Sequence, residues 1–258
     1  MLYKEEKKLP VLLFDLGFTL INFEGDFYQA MQESYRRLAD SLVGSGCPID
    51  AQKFAAKFSE IISEYHRCRV VDLIERPVEE FFEKTLAFFS IENLPPEVTV
   101  DAINAMYTYT ESWWKVEKDA HETLQRLKAM GYRMGLISNA SNSPDLNRLI
   151  DNHDLRDYFE IIVISADEGI RKPDPQIFLN TLSRMSVKPE DAIMIGDTLP
   201  ADILGARNVG MRSVWITRRA DRQENNEVEA GTIQPDYEIE DLSSLVDLVA
   251  GLNGSARS

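Results

Sequence analysis

Asp15, Ser138, Lys172 and Asp197 are the residues of this chain whose types and positions suit joint chemistry. Asp15 closes the apolar run Val11-Leu12-Leu13-Phe14, and Ser138 closes Arg133-Met134-Gly135-Leu136-Ile137. Lys172 falls in a loop soon after Phe159-Glu160-Ile161-Ile162-Val163-Ile164. Asp197 ends Ala192-Ile193-Met194-Ile195-Gly196, and Asp202 follows it closely. In an open parallel sheet, ligands bind outside the carboxyl ends of the strands, so these groups could converge on one pocket. A carboxylate can attack phosphorus, while a divalent metal and a lysine neutralise charge, so the set suits phosphoryl chemistry.

The elements that must position these residues are legible in the hydrophobic pattern. From Val11 to Ile21 the chain reads as one buried strand and its following loop. Between Asn22 and Lys115 the apolar residues recur every three or four positions, as in Phe27, Met31, Tyr35, Leu38 and Leu42, or Phe54, Phe58, Ile61 and Tyr65. That spacing predicts a helical module. Two further stripes run through Val78, Phe81, Phe82 and Leu86, and through Ile103, Met106, Tyr107 and Trp114. Asp50 and Pro77 read as helix starts.

After Lys115, helix and strand alternate. Helices are predicted near Ala120–Met130, Ser143–Asn152, Pro175–Met185 and Pro200–Asn208. Strands are predicted at Arg133–Ser138, Ile161–Ser165, Ala192–Gly196 and Ser213–Thr217. Such alternation gives a parallel sheet covered on both faces. Asp174-Pro175 supplies a cap and a first-turn proline. Arg218–Gln234 reads as a polar mobile loop, Tyr237-Glu238-Ile239 as a last strand, Leu242–Leu252 as a last helix, and Asn253–Ser258 as a fraying tail.

Order, spacing and wording of four segments resemble the haloacid dehalogenase superfamily. Asp15-Leu16-Gly17-Phe18-Thr19 is similar to its first motif, Asp-x-Asp-x-Thr, with a departure at Gly17. Leu136-Ile137-Ser138-Asn139 is similar to the second, Gly169-Ile170-Arg171-Lys172-Pro173-Asp174-Pro175 carries the lysine of the third, and Gly196-Asp197-Thr198-Leu199-Pro200-Ala201-Asp202 is similar to the fourth. Each is weak alone, but all four in order are specific, and the likeness runs from about Leu12 to Val249.

The resemblance implies an α/β fold: a Rossmann-like, doubly wound parallel sheet formed by residues 1–21 and 116–258, with an inserted α-helical cap over residues 22–115. It implies Mg²⁺ bound by Asp15, the Gly17 carbonyl and Asp197, with Asp202 nearby. Asp15 would be the nucleophile, forming an aspartyl-phosphate. Lys172 would hold nucleophile and phosphate by charge, Ser138 and Asn139 would bind phosphate oxygens, and Thr19 would orient Asp15 or its loop. The second Asp of the first motif normally protonates the leaving group, a contribution of about 10²–10⁴-fold. Gly17 removes that acid while its carbonyl can still face a metal. Some phosphatase branches of the superfamily also read Asp-Leu-Gly here, and anomeric or acyl phosphates would tolerate the loss best.

The reading is therefore a Mg²⁺-dependent phosphatase of a small phosphorylated metabolite. The alternatives are a haloacid- or phosphonate-cleaving hydrolase of the same superfamily, the latter with Lys53, Lys57 or Lys84 as Schiff base, and a phosphate-binding protein without turnover. A phosphomutase would need the missing acid. The cap and its closure would set selectivity, so the substrate is not fixed.

Composition bounds the rest. The 258 residues carry a net charge of −15, which repels nucleic acid and anionic membranes. No apolar run approaches the roughly 20 residues of a membrane helix, and the residues Met1 to Lys8 lack the apolar stretch of a secretory signal. Cys47 and Cys68 read as reduced thiols of a cytoplasmic protein. His66, His121 and His153 have no metal-binding spacing. His66-Arg67-Cys68-Arg69 is a basic run that could read a distal anion, or a solvated helix face. Trp113-Trp114 reads as packing between module and core. Oligomeric state is not legible.

Overall fold

The computed structural model describes residues 9–226 and 231–254. The expected fraying tail beyond Gly254, and residues 227–230 of the expected loop, lie outside them. Six parallel strands form the central sheet: β1 (Val11–Phe14), β4 (Met134–Ser138), β5 (Ile161–Ile164), β6 (Ala192–Gly196), β7 (Arg212–Ile216) and β8 (Tyr237–Ile239). Their order is β5-β4-β1-β6-β7-β8. The chain thus leaves β1 for neighbours on both sides, which creates a switch point above its carboxyl end. Phe14 registers with Leu136 on one side and with Ile195 on the other. Asp15, Ser138 and Asp197 are thereby brought to the same edge of the sheet.

Alternation along β1 divides the core into two layers, because successive strand side chains point to opposite faces. Leu12 and Phe14 pack with Leu124 and Leu127 of α5 (Ala120–Ala129), Leu149 of α6 (Ser143–Asn152) and Leu245 of α11 (Ser243–Gly254). Val11 and Leu13 pack on the other face with Phe178 and Leu182 of α8 (Pro175–Arg184) and Ala206 of α9 (Leu204–Asn208). The expected helix Pro200–Asn208 begins as a wider π turn over Leu199–Ile203 before tightening into α9.

Four helices lie between Phe23 and Trp114: α1 (Phe27–Gly44), α2 (Ala51–Asp72), α3 (Val78–Phe88) and α4 (Pro96–Glu111). They bury their own apolar centre, with Tyr35, Leu38, Leu42, Phe54, Phe58, Phe82 and Met106. Asp26 and Asp50 cap α1 and α2 by accepting from the Gln29 and Lys53 amides at 2.9 and 3.0 Å, satisfying donors that a helix start leaves free.

Where this module meets the sheet, the chain forms a short antiparallel ribbon of β2 (Ile21–Phe23) and β3 (Trp114–Val116). Two three-residue strands far apart in sequence carry too little alternation to be read in advance. Trp114 packs edge-on against Phe18 and Phe23, each 5.3 Å away, so this tryptophan serves packing at the junction. A second seam joins the α2–α3 connection to the sheet loops. Ile74 pairs with Ile170, the Arg171 amide donates to Leu73, and the Val78 amide donates to Ser141. No described helix is long and apolar enough to cross a membrane.

Candidate active site

The Lys172 side chain is buried and reaches two carboxylates at once, with Nζ 2.7 Å from Asp15 Oδ1 and 2.7 Å from Asp202 Oδ1. Burial alone would push this ammonium down, but Asp15 and Asp202 outweigh it and hold it above the ordinary lysine value. Its main chain is fixed by Asn139, whose amide accepts from Lys172 N at 2.9 Å and donates to Lys172 O at 3.0 Å. Asn139 was expected to face phosphate. Its side-chain oxygen and one side-chain N–H are committed to the lysine backbone, so it also positions Lys172. Ser138 is buried at the end of β4, in register with Ile164.

Asp197 and Asp202 are held against each other by the turn after β6. A Cβ on Gly196 would collide with the Asp202 carboxylate, so only glycine lets the strand end lie beside this acid. The Thr198 amide donates to Asp202 Oδ2 at 3.1 Å, and the Thr198 hydroxyl to Asp197 Oδ1 at 3.2 Å. Thr19 also lies against Asp197 Oδ1, at 3.5 Å, rather than on Asp15. Trp215 Nε1 and Asn225 Nδ2 both donate to the Asp197 carbonyl, at 2.9 and 3.0 Å. Burial, then the nearby Asp15 charge, pushes the Asp197 carboxyl up to about 7 against the pull of Arg222. Burial also raises Asp202, against Lys172, to about 6.

Asp15, Asp197 and Asp202 each offer an oxygen, and these atoms all lie within 4.8 Å of one another. They are the one such cluster among the described residues. An all-oxygen, buried acidic set fits a hard divalent cation such as Mg²⁺. Gly17 sits beside it, bridged to Ile21. A Cβ there would meet nothing nearer than Trp114 Cη2, at an ordinary 3.8 Å, and the backbone is outside the positive-φ region. Neither a Cβ clash nor a positive φ demands glycine at this position.

A model of the haloacid dehalogenase-like hydrolases matches residues 9–210. The chain belongs to that family of hydrolases. It is similar to a glyceraldehyde 3-phosphate phosphatase of Pyrococcus furiosus, 30% identical over 96% of each chain. Among solved structures, a phosphatase of this family from Thermococcus onnurineus is 26% identical with a TM-score of 0.63, covering 94% of this chain and 99% of its own. A 2-haloacid dehalogenase from Pseudomonas syringae pv. Tomato DC3000 shares the fold, with a TM-score of 0.66 at 24% identity, over 95% of this chain and 100% of its own.

Within this haloacid dehalogenase-like hydrolase, two functional features escaped the sequence reading. The first is Glu75, buried at the seam. It accepts from the Tyr65 hydroxyl at 2.5 Å and from the Ser141 and Ser165 hydroxyls at 2.8 Å each, with Arg171 3.5 Å away. It thereby ties the helical module to the loops that carry Ser138 and Lys172. The second lies in the expected mobile loop. Its described part forms short turns at Thr217–Arg219 and Gln223–Asn226 and brings Arg222 Nη1 to 3.1 Å from Asp197 Oδ2. The basic run of α2 splits: Arg69 lies 5.5 Å over the Tyr65 ring, while His66 and Arg67 are exposed. Lys53 and Lys84 are exposed, and Lys57 pairs with Glu60. None of these lysines has the desolvated setting that activates a Schiff-base amine.

Proposed function

We propose that this hydrolase is a Mg²⁺-dependent phosphatase of a small phosphorylated metabolite, working through an aspartyl-phosphate on Asp15. The observation that carries this reading is the Lys172 ammonium set between Asp15 and Asp202, beside Asp197. The name of the Pyrococcus furiosus relative supports a phosphorylated three-carbon compound as the kind of substrate. Residues 1–21 and 116–258 are assigned to the catalytic core and 22–115 to a cap, supported by the separate apolar centre of the four helices.

Asp15, the Gly17 carbonyl and Asp197 would hold the ion, with Asp202 nearby. When bound, it supplies charge neutralisation of the phosphate oxygens. Asp15 attacks phosphorus with one carboxylate oxygen, the bond to the leaving oxygen breaks, and that oxygen keeps the electron pair. Lys172 offsets the charge on Asp15 and phosphate, and the Ser138 hydroxyl donates to a phosphate oxygen. Water then attacks phosphorus, orthophosphate departs, and the Asp15 carboxylate is restored. With glycine at position 17, the leaving oxygen takes its proton from solvent.

Phosphate released from a panel of phosphomonoesters, with Mg²⁺ and with chelator, tests the proposal. Release that needs Mg²⁺ and is lost in Asp15→Asn is expected. Mg²⁺ binding without release from any ester would favour a phosphate-binding protein instead.

A further inference from the structure

Lys172 pairs with Asp15 and Asp202, while Arg222 is the cation that answers Asp197. The Arg222 guanidinium lies 3.7 Å over the Phe18 ring, next to Gly17, and its other edge pairs with Glu224 at 3.0 Å. Such a stack fixes a planar cation without consuming its in-plane donors. The segment around it has its own anchors. Asn225 bonds the Asp197 carbonyl and accepts from the Leu199 amide at 2.7 Å. Arg219 donates to the Phe18 carbonyl at 3.3 Å, and Arg218 bridges Glu117, Asp119 and Asp241. Arg222 is therefore not needed to hold this segment in place; its charge is directed at the site.

That charge has two possible claimants. Three ionised carboxylates against Lys172 and Arg222 leave the cluster with one negative charge in excess. A divalent cation ligated by Asp197 would reverse the sign and would sit beside a guanidinium, so the two cations compete for one carboxylate. A phosphate anion cancels that positive excess and offers the guanidinium a paired-oxygen acceptor, the geometry it prefers. We propose that Arg222 is a substrate-binding residue, able to turn from Asp197 to the substrate phosphate when metal and substrate are bound. The Phe18 stack is the pivot that keeps the guanidinium within reach of both. This inference rests on the phosphatase reading and adds a phosphate ligand from outside the four motifs.

Calorimetric titration of Mg²⁺ into wild type, Arg222→Gln and Arg222→Lys, then of orthophosphate into the Mg²⁺-loaded proteins, tests it. Loss of the competing cation should tighten Mg²⁺ binding about tenfold in Arg222→Gln. Loss of the fork should weaken orthophosphate about tenfold, because charge-assisted paired bonds are strong. Arg222→Lys should keep the wild-type Mg²⁺ affinity and recover only part of the phosphate affinity. Thermal melts within a few degrees of wild type are expected, since the other anchors remain. Unchanged or weaker Mg²⁺ affinity in Arg222→Gln, or unchanged orthophosphate affinity, would overturn the Arg222 assignment alone. A wild-type protein that bound neither Mg²⁺ nor orthophosphate would instead overturn the phosphatase reading beneath it.

Discussion

Asn139 grips Lys172 by both sides of its main chain, accepting from its N–H at 2.9 Å and donating to its carbonyl at 3.0 Å. The end of β4 therefore sets where the lysine backbone stands, and the lysine in turn spans Asp15 and Asp202. Asn139→Ala should lower kcat by about 10²-fold with a smaller change in KM, since misplacing a catalytic group by about 1 Å costs that much. Steady-state kinetics check this, and a KM effect alone would make Asn139 a substrate ligand.

Glu75 is the buried carboxylate of the seam; removing it takes the side-chain acceptor from Ser141 and the nearby charge from Arg171, and leaves Tyr65 and Ser165 with backbone partners alone. Glu75→Ala should cost about 3 kcal/mol, the scale for breaking a buried charged network. Urea denaturation measures that cost. Because the seam carries the loops of Ser138 and Lys172, KM should rise as well.

A third junction, between α4 and the core, should be pH-sensitive. Asp145, in the first turn of α6, is buried beside Glu111, and Arg148 lies between them at 2.7 Å from Glu111 and 3.5 Å from Asp145. Burial, then the neighbouring Glu111, pushes the Asp145 carboxyl up to about 8, above Arg148's opposing pull. The folded protein thus binds a proton that the unfolded chain releases near the ordinary aspartate value. The stabilisation is full below that value and is lost as pH rises towards 8, at a scale of about 1.4 kcal/mol per pKa unit. Asp145→Asn should flatten this fall in denaturation curves recorded from pH 4 to pH 9.

A Cβ at Gly17 would make only an ordinary 3.8 Å contact with Trp114, and φ there is not positive, so Gly17→Asp should fold. Without an acid, turnover should depend steeply on leaving-group acidity, with aryl and anomeric phosphates much faster than alkyl phosphates. The substitution should raise alkyl turnover selectively, by up to about 10²-fold if the new carboxyl acts as general acid. A flat wild-type dependence with chemistry rate-limiting would place the proton donor elsewhere.

What was legible in the sequence was local. Apolar runs ending in Asp15, Ser138 and Asp197 mark strand ends, and in a parallel sheet strand ends converge, so the cluster followed from pattern and topology. Asp50 and Asp174 were readable because a cap acts within three residues of itself. Glu75 was not, since Ile74-Glu75-Arg76-Pro77 looks like a solvated turn until Ser141 and Ser165 fold against it. Arg222 was hidden for the same reason: a polar segment rich in charge reads as a loop, and its partner Asp197 is reached only through the fold. The commitment of Asn139 to Lys172 likewise joins two motifs that the sequence lists separately.

The central claim is that Asp15 carries the phosphoryl group. Mixing enzyme, Mg²⁺ and a cleaved phosphomonoester, quenching in acid and reducing with borohydride converts an acyl phosphate to an alcohol that mass spectrometry of the peptide can locate. Substrate-dependent reduction at residue 15 is expected, with neither reduction nor turnover in Asp15→Asn. Full turnover with no reducible adduct, retained in a folded Asp15→Asn protein, would contradict it.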